Sequence, residues 1–254
     1  MRIDTYLYQN QKYSSRTKAA EAISRGEVFA NGKVVKKSSF EVSDNDKIEI
    51  VETCQTFVSN GGYKLEKAFE DFKLEVSNLT FADVGASTGG FTDCLLKHGA
   101  KKVFAIDVGE SLLSNELKQN DKVVVIDNFN ARNLCKETLG ETVDGVVCDV
   151  SFISLTYVLA QIYSVLNDDG FAIVLIKPQF ECGKKELNKN GIVTDKKARV
   201  ECVKKILDFA LAVGFTPSNF TNAPIKQDKN REYLLKLNKK QGLPLKFSLI
   251  ENFI

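Results

Sequence analysis

From about residue 62 onward, short apolar runs alternate with segments whose apolar residues recur every three or four positions. TFADV, VFAID, VVVI, GVVCD and FAIVLI read as strands. Runs that are apolar almost throughout belong to a parallel sheet covered on both faces. Between them, FTDCLLKHG, SLLSNELK and LTYVLAQIYSVL carry helical spacing, so the alternation predicts a doubly wound α/β sheet. VECVKKILDFALAVG predicts a further helix, and FTPSNFT and EYLLKL predict closing strands.

The first fifty or so residues have another rhythm, that of a small module. Ser14 and Ser15 are candidate caps of a helix over RTKAAEAISR, and Gly26 stands where a left-handed C-terminal cap belongs. VFA and KVV flank Asn31-Gly32, a type I′ hairpin signal. KIEIV alternates, and Asp44-Asn45-Asp46 supplies the turn before it. Two short helices and a hairpin sheet therefore predict a small α+β domain over residues 1–58, ahead of an α/β domain over 59–254. The link TCQTFVSN is short and lacks a flexible composition, which predicts docked domains.

Composition narrows the class. With 254 residues, 43% of them hydrophobic, the chain can bury one medium core and one small one. No apolar run reaches the roughly 18 residues of a membrane span. The segment MRIDTYLYQNQKYSSR lacks the apolar centre of a signal peptide, so a cytoplasmic protein with no membrane partner is expected. Cys54, Cys94, Cys135, Cys148, Cys182 and Cys202 form no C-x-x-C pair, and His98 is the single histidine. Zinc spacings are absent, so no metal is expected and the cysteines read as buried free thiols. Net charge is only +2, but residues 12–37 hold seven basic side chains against two acidic, and residues 184–205 eight against three. Such patches suit phosphate backbones, as do some solvated helix faces.

The densest cue is DVGASTGGFTD at residues 83–93, directly after a predicted strand. Gly85-Ala-Ser-Thr-Gly89 has the spacing of a hydrolase nucleophile elbow, but His98 lies three turns along the helix that this loop opens and cannot reach back to Ser87. Gly85 to Gly90 has phosphate-loop spacing but is followed by Phe91-Thr92 instead of Lys-Ser/Thr. A nucleoside pocket fits better. Gly85 and Gly89 permit close backbone approach, and Asp107 ends the next strand, where a carboxylate can accept from ribose hydroxyls. Serine at 87 and Asp83 ahead of the glycines favour a cationic nucleoside, S-adenosyl-L-methionine, over NAD.

Two further strand ends carry polar residues that packing does not require: Asp149 after GVVC and Lys177 after FAIVLI. In an open α/β sheet these ends share a crevice with the glycine turn, which suggests a catalytic pair. Lys64 in GGYKLEKAFEDF and Glu232 in NREYLL are candidates for the same crevice. The segment from Phe180 to Lys197 is long for a connection in a compact domain, which predicts a loop that closes over a flipped target nucleotide.

The run RIDTYL…SRTKAAEAISRGEVFANGKVVKKSSFEV resembles the small RNA-binding module of ribosomal proteins and pseudouridine synthases, in which the basic helix lies against RNA. That likeness nominates Arg2, Arg16, Lys18, Arg25, Lys36 and Lys37 as RNA contacts. SNGGYKLEKAF, DVGASTGGFTDCLL, AIDVG, CDVSFISL, LIKPQFE, NGIVTD and APIKQDKNREYL are similar, in order, to the motifs of the TlyA family, from Arg2 to about Leu237. These are ribosomal RNA 2′-O-methyltransferases, often called haemolysins and related in fold to FtsJ. The resemblance implies a Rossmann-like class I methyltransferase domain behind the RNA-binding module, with ribosomal RNA on the ribosomal subunit as partner and S-adenosyl-L-methionine as cofactor. It also implies a catalytic tetrad of Lys64, Asp149, Lys177 and Glu232. Cofactor contacts would lie at Asp83, Gly85, Ser87, Gly89, Phe91, Asp107 and Asn130. Longer relatives act on both ribosomal subunits and a shorter group on the large one, to which this chain is assigned as an expectation. Asn60 stands where the family usually has arginine, and QDKNRE lacks its usual glycines, which leaves the placing of Glu232 open.

In the implied chemistry a ribose 2′-hydroxyl attacks a sulfonium methyl, and Lys177 takes the hydroxyl proton as general base. Lys64 and the cationic cofactor lower the Lys177 pKa while Asp149 and Glu232 raise it, so the carboxylates are given an orienting role. Alternative readings are a non-catalytic RNA-binding assembly factor and an NAD-linked enzyme.

Overall fold

The computed structural model describes residues 1–13, 15–43, 45–51, 57–224, 229–240, 242, 244–251 and 253–254. Ser14, Asp44, Cys54 and the side chain of Arg25 lie outside the described residues, as do positions 53–56 of the expected link. The chain divides into two compact units, Met1–Thr56 and Phe57–Ile254.

In the first unit, α1 (Ile3–Gln9) and α2 (Arg16–Arg25) accompany a three-stranded antiparallel sheet of β1 (Val28–Ala30), β2 (Lys33–Val34) and β3 (Ile48–Ile50), ordered β2-β1-β3. Ser15 caps α2 by accepting from Lys18 N at 3.2 Å. Gly26 ends it in the left-handed region at φ 78°. Asn31 and Gly32 both have positive φ, 51° and 75°, the backbone of a type I′ turn. Ile3, Leu7, Ala22, Ile23 and Val28 form the centre of a small buried core.

The second unit runs α3 (Asn60–Phe72), β4 (Thr80–Val84), α4 (Gly90–Lys97), β5 (Lys102–Ile106), α5 (Asn115–Lys118), β6 (Val123–Ile126), α6 (Lys136–Leu139) and β7 (Val143–Cys148). It continues with α7 (Leu159–Val165), β8 (Leu166–Ile176), α8 (Pro178–Glu181), α9 (Lys196–Val213), β9 (Thr216–Asn222), β10 (Tyr233–Asn238) and α10 (Phe247–Glu251). Seven strands lie in the order β6-β5-β4-β7-β8-β10-β9. The first five pair in parallel, and β10 is antiparallel to both neighbours, so the sheet is mixed at one edge.

Strand alternation explains the continuous apolar runs. Phe81, Val147, Ile173 and Leu175 pack with Leu65, Phe69 and Leu95 of α3 and α4. Their neighbours Ala82, Val84, Val146, Val174 and Ile176 pack on the opposite face with Leu159 and Ile162 of α7 and Val203 and Ile206 of α9. Both faces are buried, so neither needs polar residues.

Several elements differ from expectation. The predicted helix over LTYVLAQIYSVL breaks into a 3₁₀ turn at Leu155–Tyr157 and α7, and its last residue already belongs to β8. Only the final turn of SLLSNELK is helical, and Ser111 ahead of it has φ 54°. The helix predicted over VECVKKILDFALAVG starts earlier, because Asp195 accepts from Lys197 N and Ala198 N and caps α9 ahead of Lys196. The free-thiol expectation fails for Cys182 and Cys202, which form a disulfide with Cα atoms 5.9 Å apart. They are 20 residues apart and meet only because α8 packs on α9, which no spacing motif announces. Cys94, Cys135 and Cys148 are free. Among the described residues, no helix is long and apolar enough to cross a membrane.

The long segment after α8 is well tied. Asn188 Oδ1 accepts from Asn190 N and Ile192 N, and Asn230 both accepts from Val193 N and donates to Gly191 O. Lys184, Lys185 and Lys189 stay exposed on it.

Candidate active site

Sheet register sets the site. Val84 lies beside Ile106 of β5 and Cys148 of β7, so Gly85, Asp107 and Asp149 leave the sheet side by side. The Asp149 amide donates to Val84 O at 3.0 Å, and the Gly85 amide to Ile106 O at 2.9 Å. Gly85 has φ +87°, and a Cβ there would stand 2.8 Å from the Asp149 carbonyl oxygen. Gly89 has φ +95°, and a Cβ there would collide with Leu117 at 2.2 Å. Gly85→Ala is therefore expected to cost about 1–3 kcal/mol of stability from backbone strain alone. It should also weaken nucleoside binding at least tenfold, measured by thermal unfolding and by cofactor titration.

Asp107 is locked over the turn, its Oδ2 accepting from Ser87 N and its Oδ1 from Gly109 N, both at 2.8 Å. Ser87 is exposed and has a left-handed backbone, φ 50°. Asp83 is fully buried; its Oδ2 accepts from the Thr92 hydroxyl at 2.7 Å and its Oδ1 has no partner. Burial pushes its carboxyl up to about 7 against the opposing Thr92 hydrogen bond, with Asp149 and Asp107 adding to the rise. An orphaned acidic oxygen beside a glycine cradle fits a cationic nucleoside. Asn130 is exposed, and its Oδ1 accepts from Arg132 N at 3.1 Å to head a 3₁₀ turn. Phe91 is buried in the core on α4. Val108, next to Asp107, is 72% exposed, an apolar surface that sequence reasoning did not single out.

The four residues nominated for chemistry converge at the same end of the sheet. Lys177 Nζ lies 2.5 Å from Asp149 Oδ1 as an ion pair and donates a hydrogen bond to Ser151 Oγ at 2.9 Å. Lys64 Nζ lies 2.7 Å from Glu232 Oε2 and 3.6 Å from Asp149 Oδ2. Antiparallel pairing of Tyr233 with Ile176 places Glu232 beside Lys177 in register. Gln179 Nε2 donates to Glu232 Oε1 at 3.2 Å. Lys64 arrives on α3, which approaches α4 closely enough that a Cβ on Gly90 would sit 2.7 Å from Gly62 N. Burial alone would lower the Lys64 ammonium, but Asp149 and Glu232 together outweigh it and hold its pKa above the ordinary value. Ser151 and Gln179, within CDVSFISL and LIKPQFE, are functional candidates that sequence reasoning did not single out.

Residues 57–239 match the FtsJ-like methyltransferase family and residues 1–48 the S4 domain. A protein named hemolysin A from Brachyspira hyodysenteriae is 44% identical over 236 residues, covering 92% of this chain and 98% of its own. The 16S/23S rRNA (cytidine-2′-O)-methyltransferase TlyA of Mycobacterium tuberculosis is 37% identical over 236 residues, covering 92% of this chain and 88% of its own. The chain belongs to the TlyA family.

A solved structure assigned as a hemolysin from Streptococcus thermophilus superposes on this TlyA-family chain with a TM-score of 0.77 at 32% identity, covering 100% of this chain and 94% of that one. The second unit has the mixed seven-strand sheet of class I methyltransferases, and the family uses S-adenosylmethionine. In the S4 domain of this TlyA-family protein, Arg2 and Arg16 each place a guanidinium nitrogen 3.0 Å from Asp4 Oδ2. The Arg2 hydrogen bond, then those of Arg16 and Thr5, hold the Asp4 carboxyl well below the usual range against the opposing effect of burial. Lys18, Lys36 and Lys37 are exposed.

Proposed function

We propose that this chain methylates the 2′-hydroxyl of a cytidine in ribosomal RNA. The observation carrying this reading is the pair of lysines that clasp Asp149 beside the glycine turn. S-adenosyl-L-methionine, when bound, supplies an electrophilic methyl group on a positively charged sulphur. Gly85, Ser87 and Gly89 provide the backbone cradle for it, with Asp83 facing its positive charge and Asp107 its ribose hydroxyls. Phe91 supports the turn from the core, and Asn130 edges the pocket.

Lys64 is held as an ammonium by two carboxylates and so does not serve as a base. Its fixed charge offsets Asp149 and Glu232, which leaves Lys177 to take the ribose hydroxyl proton. Asp149 orients Lys177, while Glu232, held by Gln179, orients Lys64. Arg2, Arg16, Lys18, Arg25, Lys36 and Lys37 bind the RNA, and Lys184, Lys185 and Lys189, exposed on the tied segment after α8, contact it beside the target.

The M. tuberculosis relative carries both ribosomal subunits in its name, whereas the proposed target of this chain is in the large one. Mapping 2′-O-methylated riboses in both rRNAs, from cells with and without the protein, decides this. One protein-dependent cytidine in the large-subunit rRNA is expected. No protein-dependent methylated ribose would overturn the catalytic reading and favour a non-catalytic assembly factor.

A further inference from the structure

Away from the crevice, α3 and α4 bring together three side chains that the methyl-transfer reading does not use: Glu66, Cys94 and His98. Cys94 lies on α4, and His98, one turn on, is its C-cap; Glu66 reaches them from α3. Glu66 Oε2 is 2.7 Å from His98 Nε2 and 3.6 Å from Cys94 Sγ. One donor atom from each residue lies within 4.8 Å of the other two. The imidazole is held flat against Phe69, with ring centroids 3.7 Å apart and 9° between planes. Cys94 is buried, while the side chains of Glu66 and His98 are 28% and 30% exposed, which leaves one side open to solvent.

We propose that Glu66, Cys94 and His98 form a site for one zinc-class divalent ion, with a water molecule in the fourth position. A thiolate sulphur, an imidazole nitrogen and a carboxylate oxygen are the donor types that zinc accepts tetrahedrally. The donors already converge, so loading needs adjustments of side chains on two packed helices and no refolding. The Glu66–His98 hydrogen bond opens so that both atoms turn to the metal. The Cys94 thiol, which burial and the neighbouring Glu66 carboxylate keep protonated without an ion, loses its proton to solvent as the sulphur–metal bond forms. The bound ion ties α3, which carries Lys64, to α4, which the glycine turn opens. The sequence hides this set because Glu66 and Cys94 are 28 positions apart and only the two helix faces bring them together.

The alternative is a plain Glu66–His98 hydrogen bond over a buried thiol. The full chain, stripped with a chelator, is titrated with Co²⁺ as a spectroscopic probe and then with Zn²⁺ in competition. One equivalent of Co²⁺ with a thiolate-to-metal absorption band in the near ultraviolet is expected. Cys94→Ser should abolish that band, His98→Ala and Glu66→Gln should each weaken Zn²⁺ binding at least tenfold, and Cys135→Ser should change neither. Circular dichroism confirms that each variant is folded. Absence of the band in the wild-type chain, or its persistence in Cys94→Ser, overturns the site. Because no readout uses methyl transfer, the outcome is separate from that of the enzymatic reading.

Discussion

Lys177→Ala is expected to lower methyl transfer by about a thousandfold, the range that loss of a positioned general base produces. Transfer of labelled methyl groups from S-adenosylmethionine to rRNA measures it. The fold should survive. Asp149 keeps Lys64 at 3.6 Å when Lys177 is removed, so the half-buried carboxylate is not left without a counter-charge. Cofactor affinity should change only a few-fold, because the glycine turn, Asp83 and Asp107 are built from other strands. Lys177→Arg separates two roles that alanine merges. It keeps the positive charge beside Asp149 but cannot take up a proton near neutral pH. If Lys177 is a base, the arginine variant is as slow as the alanine one. If Lys177 only balances Asp149, the arginine variant recovers most of the rate, and the base assignment falls.

Different physical causes decided what could be read from the chain. Asp149 and Lys177 were legible because each interrupts an apolar strand at its carboxyl end, where burial gives no reason for a charge. The glycine turn was legible because Gly85 and Gly89 occupy left-handed backbone with no room for a Cβ. Glu232 was nominated without a secure position. Its place depends on β10 inserting antiparallel between β8 and β9, a pairing set by the whole sheet and not by local pattern. Ser151 and Gln179 sit inside the motifs CDVSFISL and LIKPQFE, but their partners were not legible, since nothing in the chain shows that one holds a lysine and the other a carboxylate. The disulfide between Cys182 and Cys202 was missed for the same reason as the Glu66 cluster: helix packing brings distant residues together. Asp4 was also silent. One buried acid in α1 holds both Arg2 and Arg16, so the two nominated RNA contacts are a coupled pair.

Asp83→Asn is expected to make the protein more stable and less able to bind its cofactor. The Asp83 carboxyl has an ordinary value of 3.8, which burial raises to about 7 in the folded chain. Between those values the folded protein holds a proton that the unfolded chain releases. Stability from this group is therefore complete at about pH 4 and is lost as pH rises towards 7, levelling off above it. A shift of that size corresponds to at most on the order of 4 kcal/mol. Asparagine removes the titration while its side-chain oxygen can still accept from Thr92, so no buried hydroxyl is orphaned. Thermal unfolding from pH 4 to pH 8 should show a falling midpoint in the wild-type chain and a flatter profile in the variant, with the variant higher at pH 8. Cofactor binding should move the other way. A cationic ligand favours the ionised carboxylate, so wild-type affinity should rise with pH through about 7, with release of a proton on binding at lower pH. The variant should bind at least tenfold more weakly at pH 8 and lose that pH dependence in calorimetric titration. Equal slopes and equal affinities in the two proteins would show that Asp83 neither stores this strain nor meets the cofactor's charge. The stabilised but weakened variant, in contrast, would identify a site where folding free energy is given up to keep an acid buried for its ligand.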